Sequence, residues 1–219
     1  PPPRTASEWP PGCRPRILFV GSGLVYGEPA VPDEPQDEKC LLRPTSPYAA
    51  SKAAADLLSY QTALDPGLEI VRARPFNHIG PRQSPQFAVA NFARQAAAIG
   101  RGESPPVLET GNLSPRRDLT DVRDTAAAYV LLMQKGRPRE AYNVGSGQNV
   151  SMQTVLDRLL ALSGLRVEVQ RRPELLRAVD QAVARVDAMK LRRETGWAPR
   201  FSLDQTLTDT LNYWRSRPD

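Results

Sequence analysis

Arg16-Ile17-Leu18-Phe19-Val20-Gly21 is the stretch that decides how the rest of the chain is read. An unbroken apolar run of this length, ending at a glycine, suits a strand covered on both faces, as strands of a parallel sheet are. Beyond it, Glu28 to Pro47 reads as loop from its prolines and charges. Tyr48 to about Leu64 is rich in Ala and Leu and predicts a helix, with Ser46 placed to cap it and Pro66-Gly67 to stop it. Ile70 to Arg74 predicts a second strand, closed by Pro75. Strand, helix and strand in this order form a βαβ unit, so the expected class is α/β with a parallel sheet.

Ligands of such sheets bind beyond the carboxyl ends of the strands. Ser22 follows the first strand and Phe76-Asn77 the second, so both are expected at one crevice with Tyr48. Tyr48 and Lys52 are four residues apart on a predicted helix and share a face. An ammonium beside a phenol favours its ionised form, which suits the pair to acid-base work. A nearby serine hydroxyl could steady the substrate oxygen that exchanges the proton. A surface helix carrying an ordinary Tyr and Lys is the alternative, and Tyr-x-x-x-Lys alone does not decide between them.

The second half predicts helices over Phe87–Gly100, Val122–Lys135, Ser151–Ser163 and Leu203–Trp214, with short strands at Ala141–Val144 and Val167–Val169. Leu203, Leu207, Leu211 and Trp214 recur at helical spacing and predict a core stripe. Residues 1–15 carry many prolines and no apolar period, so they read as an irregular arm. Internal repeats are absent.

The 219 residues can bury a substantial core. The 22 prolines are about twice the usual ~5% and point to structured loops. A net charge of +5 is carried mostly by dispersed arginines without interleaved aromatics, which argues against nucleic acid and fits recognition of a small phosphorylated ligand. Cys13 and Cys40 are too few for a disulfide framework or zinc site. His78 is a lone histidine without evident metal partners. No apolar run approaches the ~18 residues of a membrane span, and the start lacks the apolar core of a signal peptide, so a cytoplasmic location is expected.

Six ordered stretches together resemble the extended short-chain dehydrogenase/reductase family, the NAD-dependent epimerases, dehydratases and reductases of nucleotide sugars. They are Ser22 with Val25-Tyr26-Gly27, Tyr48-Ala49-Ala50-Ser51-Lys52, Arg74 to Pro81, Arg117 to Val122, Tyr142 to Gly147 and Thr195 to Pro199. The resemblance implies that Tyr48 is the acid-base, that Lys52 holds the nicotinamide ribose, and that Ser22 orients the sugar oxygen. It places Pro75 and Phe76 beside an NAD or NADP cofactor, Asn77 and Arg117 against a nucleotide-sugar diphosphate, and Arg177 as a second diphosphate or ribose contact. Asp118 and Asp121 are expected to hold a loop. Within the family, the Phe76–Pro81 and Arg172–Arg177 stretches look closest to enzymes of GDP-linked 6-deoxyhexoses, such as GDP-4-dehydro-6-deoxymannose reductases and GDP-mannose 4,6-dehydratase-like enzymes. The 4,6-dehydratases carry a Glu two positions after the catalytic Ser or Thr, where this chain has Leu24. Leucine cannot act as a base, so reduction of a 4-keto sugar is favoured over dehydration, with epimerisation as an alternative. Family members commonly pair through the tyrosine-bearing helix, so a homodimer is an expectation.

The family's opening Gly-x-x-Gly-x-x-Gly unit, which cradles the cofactor pyrophosphate, has no counterpart before Arg16. The expected organisation is therefore an arm at 1–15, the C-terminal part of a Rossmann-type domain at 16–80, and a smaller α/β substrate-binding domain at 81–219 with segments returning to the first. A truncated product, a fragment that pairs with a missing half, and a non-catalytic nucleotide-sugar binder are the readings left open. Weak stability and poor NAD(P)H binding are expected of such a chain.

Overall fold

A computed structural model describes residues 14–29, 31, 34–65, 67–175 and 183–217. The first strand, β1 (Arg16–Val20), leads through a 3-10 turn at Gly23–Tyr26 and a long loop into α1 (Pro47–Thr62), and α1 leads to β2 (Glu69–Pro75). Ser46 caps α1 by accepting the Ala49 amide, and Pro47 occupies the first turn, where its missing N–H costs nothing. The chain continues through β3 (Asn77–Ile79), α2 (Ala88–Gly100), β4 (Val107–Thr110), β5 (Arg116–Asp121), α3 (Val122–Lys135) and β6 (Ala141–Val144). It ends with β7 (Asn149–Ser151), α4 (Met152–Ser163), β8 (Glu168–Arg171), β9 (Val183–Ala184), α5 (Met189–Thr195) and α6 (Leu203–Arg215).

The expected βαβ unit forms, with β1 parallel to β2 and Val20 opposite Ala73. β6 adds on the other side of β2, also parallel, with Pro75 opposite Val144. The order β1-β2-β6 aligns three carboxyl ends on one edge of the sheet. Among the described residues β1 pairs only with β2, and its Ile17 and Val20 are exposed. A second sheet joins β3, β5, β7 and β9, and a two-stranded parallel ribbon joins β4 and β8.

Unlike the apolar β6, the two- to four-residue β3, β4, β7 and β9 carried no readable signal, and the six-residue β5 was masked by its charged Arg-Arg-Asp-Leu-Thr-Asp sequence. Among the described residues, the loop expected at Glu28–Pro47 contains one bridge, Gln36 to Val186, which ties it to the C-terminal half. Pro66, named as a stop for α1, lies outside the described residues.

A small apolar cluster of Val25, Tyr26, Ala53, Phe76, Val186 and Ala188 joins the turn after β1 to α1 and the end of β2, and two larger clusters complete the core. One packs α2, α4 and α6 against β4, with Leu207 and Leu211 buried and Leu203 and Trp214 partly buried against it. The stripe expected on the last helix thus faces this core. The other packs α3 and α5 against β2 and β6 through Ala128, Leu132, Leu191 and Trp197. Trp197 also donates its indole N–H to the Asp124 carbonyl at 2.9 Å, so the buried ring keeps its polar atom satisfied.

Candidate active site

The turn after β1 is built from small residues under close approach. The Gly21 amide extends the β1–β2 ladder to the Ala73 carbonyl at 2.8 Å. Ser22 is extended at φ −161°, and its Oγ accepts the Leu24 amide at 3.2 Å, capping the 3-10 turn. A Cβ on Gly23 would stand 2.6 Å from the Phe76 ring, so the residue after β2 is packed directly beneath this turn. Ser22 therefore lies where two strand ends meet.

Tyr48 stands in the first turn of α1 and is 54% exposed, and Lys52 follows one turn later. The Lys52 Nζ lies 5.9 Å from the Tyr48 ring centroid and 3.4 Å from the Val20 carbonyl. Ser22, Tyr48 and Lys52 all line one cleft of about 1300 Å³, together with Pro75, Phe76, Asn77 and Arg117. Asn77 opens β3, and Arg117 comes from the adjacent β5. The cleft is thus walled on one side by the parallel sheet and on the other by elements of the helical cluster. Arg177, expected as a diphosphate or ribose contact of the substrate, lies outside the described residues.

Two carboxylates of the Arg117–Val122 stretch are committed to architecture. Asp118 is fully buried and accepts the Ser146 amide at 2.7 Å, the Gly147 amide at 2.6 Å and the Ser146 hydroxyl at 3.0 Å. Burial pushes its carboxyl up from the usual range, while those donors pull the other way. Asp121 caps α3 by accepting the Arg123 amide at 2.8 Å and accepts Thr206 Oγ1 at 2.7 Å, which ties α6 to β5. His78 lines the cleft on its exposed side, with Nδ1 3.3 Å from the Phe76 carbonyl. Among the described residues no group of three or more His, Cys, Asp or Glu could hold a metal ion, and no helix is long and apolar enough to cross a membrane.

The cleft also contains residues that sequence reasoning did not single out. Tyr129 of α3 lines it, and its hydroxyl is pushed up to about 12 by burial and then by the nearby Tyr48. Arg82, at φ +72°, holds a left-handed backbone unusual for a side-chain-bearing residue and lines the cleft, as do Gln83 and Asn112. The Gly80-Pro81 turn before Arg82 was a visible signal of unusual backbone; nothing in the spacing of α3 singled out Tyr129.

Comparison with known proteins agrees with this geometry. A family model described as GDP-mannose 4,6 dehydratase matches residues 11–210. GDP-6-deoxy-D-mannose reductase of Pseudomonas aeruginosa is 36% identical over 201 residues, covering 92% of this chain and 66% of the relative. A dTDP-glucose 4,6-dehydratase of Streptomyces niveus is 29% identical, covering 91% of this chain and 57% of the relative. The chain thus spans less than two thirds of the length of these curated relatives. The solved structure of RMD from Pseudomonas aeruginosa complexed with NADPH superposes with a TM-score of 0.89 at 35% identity, covering 94% of this chain and 69% of that one. A Rossmann-type parallel sheet, a cleft at its carboxyl edge and a family match over most of the chain have one reading: this protein belongs to the GDP-mannose 4,6 dehydratase family, within the extended short-chain dehydrogenases/reductases.

Proposed function

We propose that this chain carries the proton-handling and substrate-holding side of an NAD(P)-dependent reductase acting on a nucleotide-linked 4-keto-6-deoxyhexose, with a GDP-linked sugar as the preferred substrate. The observation that carries the reading is the presence of Ser22, Tyr48 and Lys52 on one wall of a cleft that Asn77 and Arg117 also line. The family of the chain and the reductase named among its relatives support the substrate class.

The cofactor-side residues suit a nicotinamide nucleotide. The Lys52 ammonium and the Tyr48 phenol are donors for ribose hydroxyls, and the apolar ring of Phe76, packed against Gly23, lines the same cleft. When bound, the nicotinamide supplies the hydride. The chain's own residues handle the proton. Tyr48 donates its phenolic hydrogen to the ketone oxygen as that carbon is reduced, so the ketone becomes an alcohol and the phenolate is reprotonated from water. The Ser22 hydroxyl donates to the same oxygen and keeps it in line with the phenol. Arg117 grips the diphosphate through its guanidinium fork, and Asn77 adds an amide donor.

Leu24 lines the cleft two positions after Ser22. A hydrocarbon there offers no base to strip a proton next to the ketone, which supports reduction over dehydration. Two copies pair through α1 in this reading, and the exposure of Leu57, Leu58 and Tyr60 on that helix supports it.

The test is to mix the chain with GDP-4-keto-6-deoxymannose and NADPH in large excess, since weak cofactor binding is expected of this chain, and follow cofactor oxidation together with the sugar product. Equimolar NADPH loss and 6-deoxyhexose formation, abolished in Tyr48→Phe, is the expected result. Conversion of a nucleotide sugar without net NADPH loss would mark an epimerase, and no turnover with retained GDP binding would mark a binding protein. Sedimentation equilibrium reads the pairing.

A further inference from the structure

The face that α1 buries offers little to fix its position. Its buried residues are Ala49, Ala53 and Asp56, and two alanines can slide along a sheet with small loss of packing. Asp56 lies one turn beyond Lys52 and two beyond Tyr48, and it is wholly buried. Its Oδ2 accepts Arg74 Nε at 2.9 Å, and its Oδ1 accepts Arg74 Nη2 at 2.7 Å and Arg72 Nη1 at 2.6 Å. Both arginines come from β2.

Arg74 has a second partner. Its Nη1 donates to the Tyr26 hydroxyl at 2.9 Å, and that hydroxyl donates to Asn143 Oδ1 of β6 at 2.7 Å. Asn143 Nδ2 in turn donates to the Gln36 carbonyl at 2.9 Å and the Asp187 carbonyl at 3.1 Å. Tyr26 is the last residue of the 3-10 turn that Ser22 caps, and its ring stacks on Phe76 at 6.3 Å. Burial holds the Tyr26 hydroxyl far above its ordinary titration range, so it stays a neutral donor and acceptor.

We propose that Asp56, Arg74 and Tyr26 form one buried positioning device, which pins the Tyr48–Lys52 helix and the Ser22 turn to the same strand and so sets the spacing between Ser22 and Tyr48. The guanidinium fork is what makes this a geometric device. Arg74 uses Nε and Nη2 on one carboxylate and Nη1 on a phenol, and its plane fixes the angle between the two. A buried ion pair is weak support for stability compared with apolar packing of the same volume, so directional control is the better account of its place here. Displacements near 1 Å at a reacting centre can cost about a hundredfold in rate.

The catalytic consequence rests on the proposed function, whereas the positional one does not. The test therefore uses two readouts on the full chain. Hydrogen exchange is measured by peptide for wild type, Tyr26→Phe and Arg74→Lys, and turnover of the 4-keto sugar is measured on the same samples. Tyr26→Phe is expected to fold, to raise exchange selectively over residues 22–27 and 47–53, and to leave the α2, α4 and α6 peptides as in wild type. Its kcat is expected to fall about tenfold with KM within about twofold. Arg74→Lys keeps the charge and loses the fork, so it is expected to show the same selective pattern.

Exchange that is unchanged in those peptides, or that rises equally through the whole chain, overturns the proposal, as does wild-type behaviour of Arg74→Lys. If wild type shows no turnover at all, the functional reading fails, and the exchange contrast still decides the positional one. Should Arg74→Lys not fold, the exchange pattern of Tyr26→Phe alone decides between the two outcomes.

Discussion

The Lys52 ammonium reaches both the Tyr48 ring, at 5.9 Å, and the Val20 carbonyl, at 3.4 Å, so one side chain spans from α1 to the carboxyl end of β1. It therefore holds positive charge where two separate elements meet, next to the phenol that the proposed chemistry uses.

Replacing Tyr48 by Phe removes the proton donor and nothing else of weight. The residue is 54% exposed, so the melting temperature should stay within a few degrees of wild type. Turnover of the 4-keto sugar should fall by about a hundredfold to ten-thousandfold, the usual range for a lost acid-base group. Steady-state kinetics with calorimetry of GDP binding checks it, and full retained turnover would remove Tyr48 from the mechanism.

Arg117→Ala should weaken nucleotide diphosphate binding without touching the proton step. A charge-assisted hydrogen bond is worth about 1.5–3 kcal/mol, which corresponds to roughly ten- to a hundredfold in Kd. Titration calorimetry with GDP, compared with GMP, separates a phosphate contact from a base contact. An equal loss for both nucleotides would argue against the diphosphate role.

Acid should loosen α1 only once the pH falls below the ordinary carboxyl range. Burial alone would raise the Asp56 carboxyl, but hydrogen bonds from Arg74 and the charges of Arg74 and Arg72 bring it below the ordinary range. A depressed folded value means that this stabilisation is present above the unfolded pKa of about 3.9 and is lost as pH falls through the folded one. Thermal melts below the ordinary carboxyl range should fall with pH, and Asp56→Asn should flatten that part of the curve. The same variant should cost several kcal/mol at neutral pH, since it leaves two buried guanidiniums without their anion. A parallel pH curve for the variant would show that other carboxylates govern acid unfolding.

Gly27→Ala should destabilise the chain far more than a surface glycine change does. Gly27 sits at φ +64°, and a Cβ there would lie 2.0 Å from the Arg43 carbonyl oxygen, so both backbone conformation and space exclude a side chain. Urea unfolding should show a loss of about 1–3 kcal/mol or more. Gly102→Ala, also at positive φ but with open space around it, serves as the control that isolates the clash.

The sequence by itself determined the βαβ unit and the residues that stand at its strand ends. An apolar run, an alanine-rich helix with Ser46 to cap it and a second run closed by Pro75 are local signals, and connectivity then places Ser22 and Phe76 on one edge. Tyr48 and Lys52 were legible for the same reason, because i to i+4 spacing on a helix is a local relation. Arg117 had no local signal and was named from resemblance alone.

Only the tertiary structure decided which partners the architectural polar groups take. It committed Asp118 to the Ser146-Gly147 turn and Asp121 to the cap of α3, and it joined Asp56 to Arg74 and Tyr26, residues drawn from α1, β2 and the turn after β1. Periodicity reports how each residue relates to its near neighbours in the chain. It carries no information on pairs such as Tyr26 and Asn143, which are 117 positions apart and meet through one hydrogen bond. Such partnerships exist only once the strands have found their order, because the strand order is what brings their ends together.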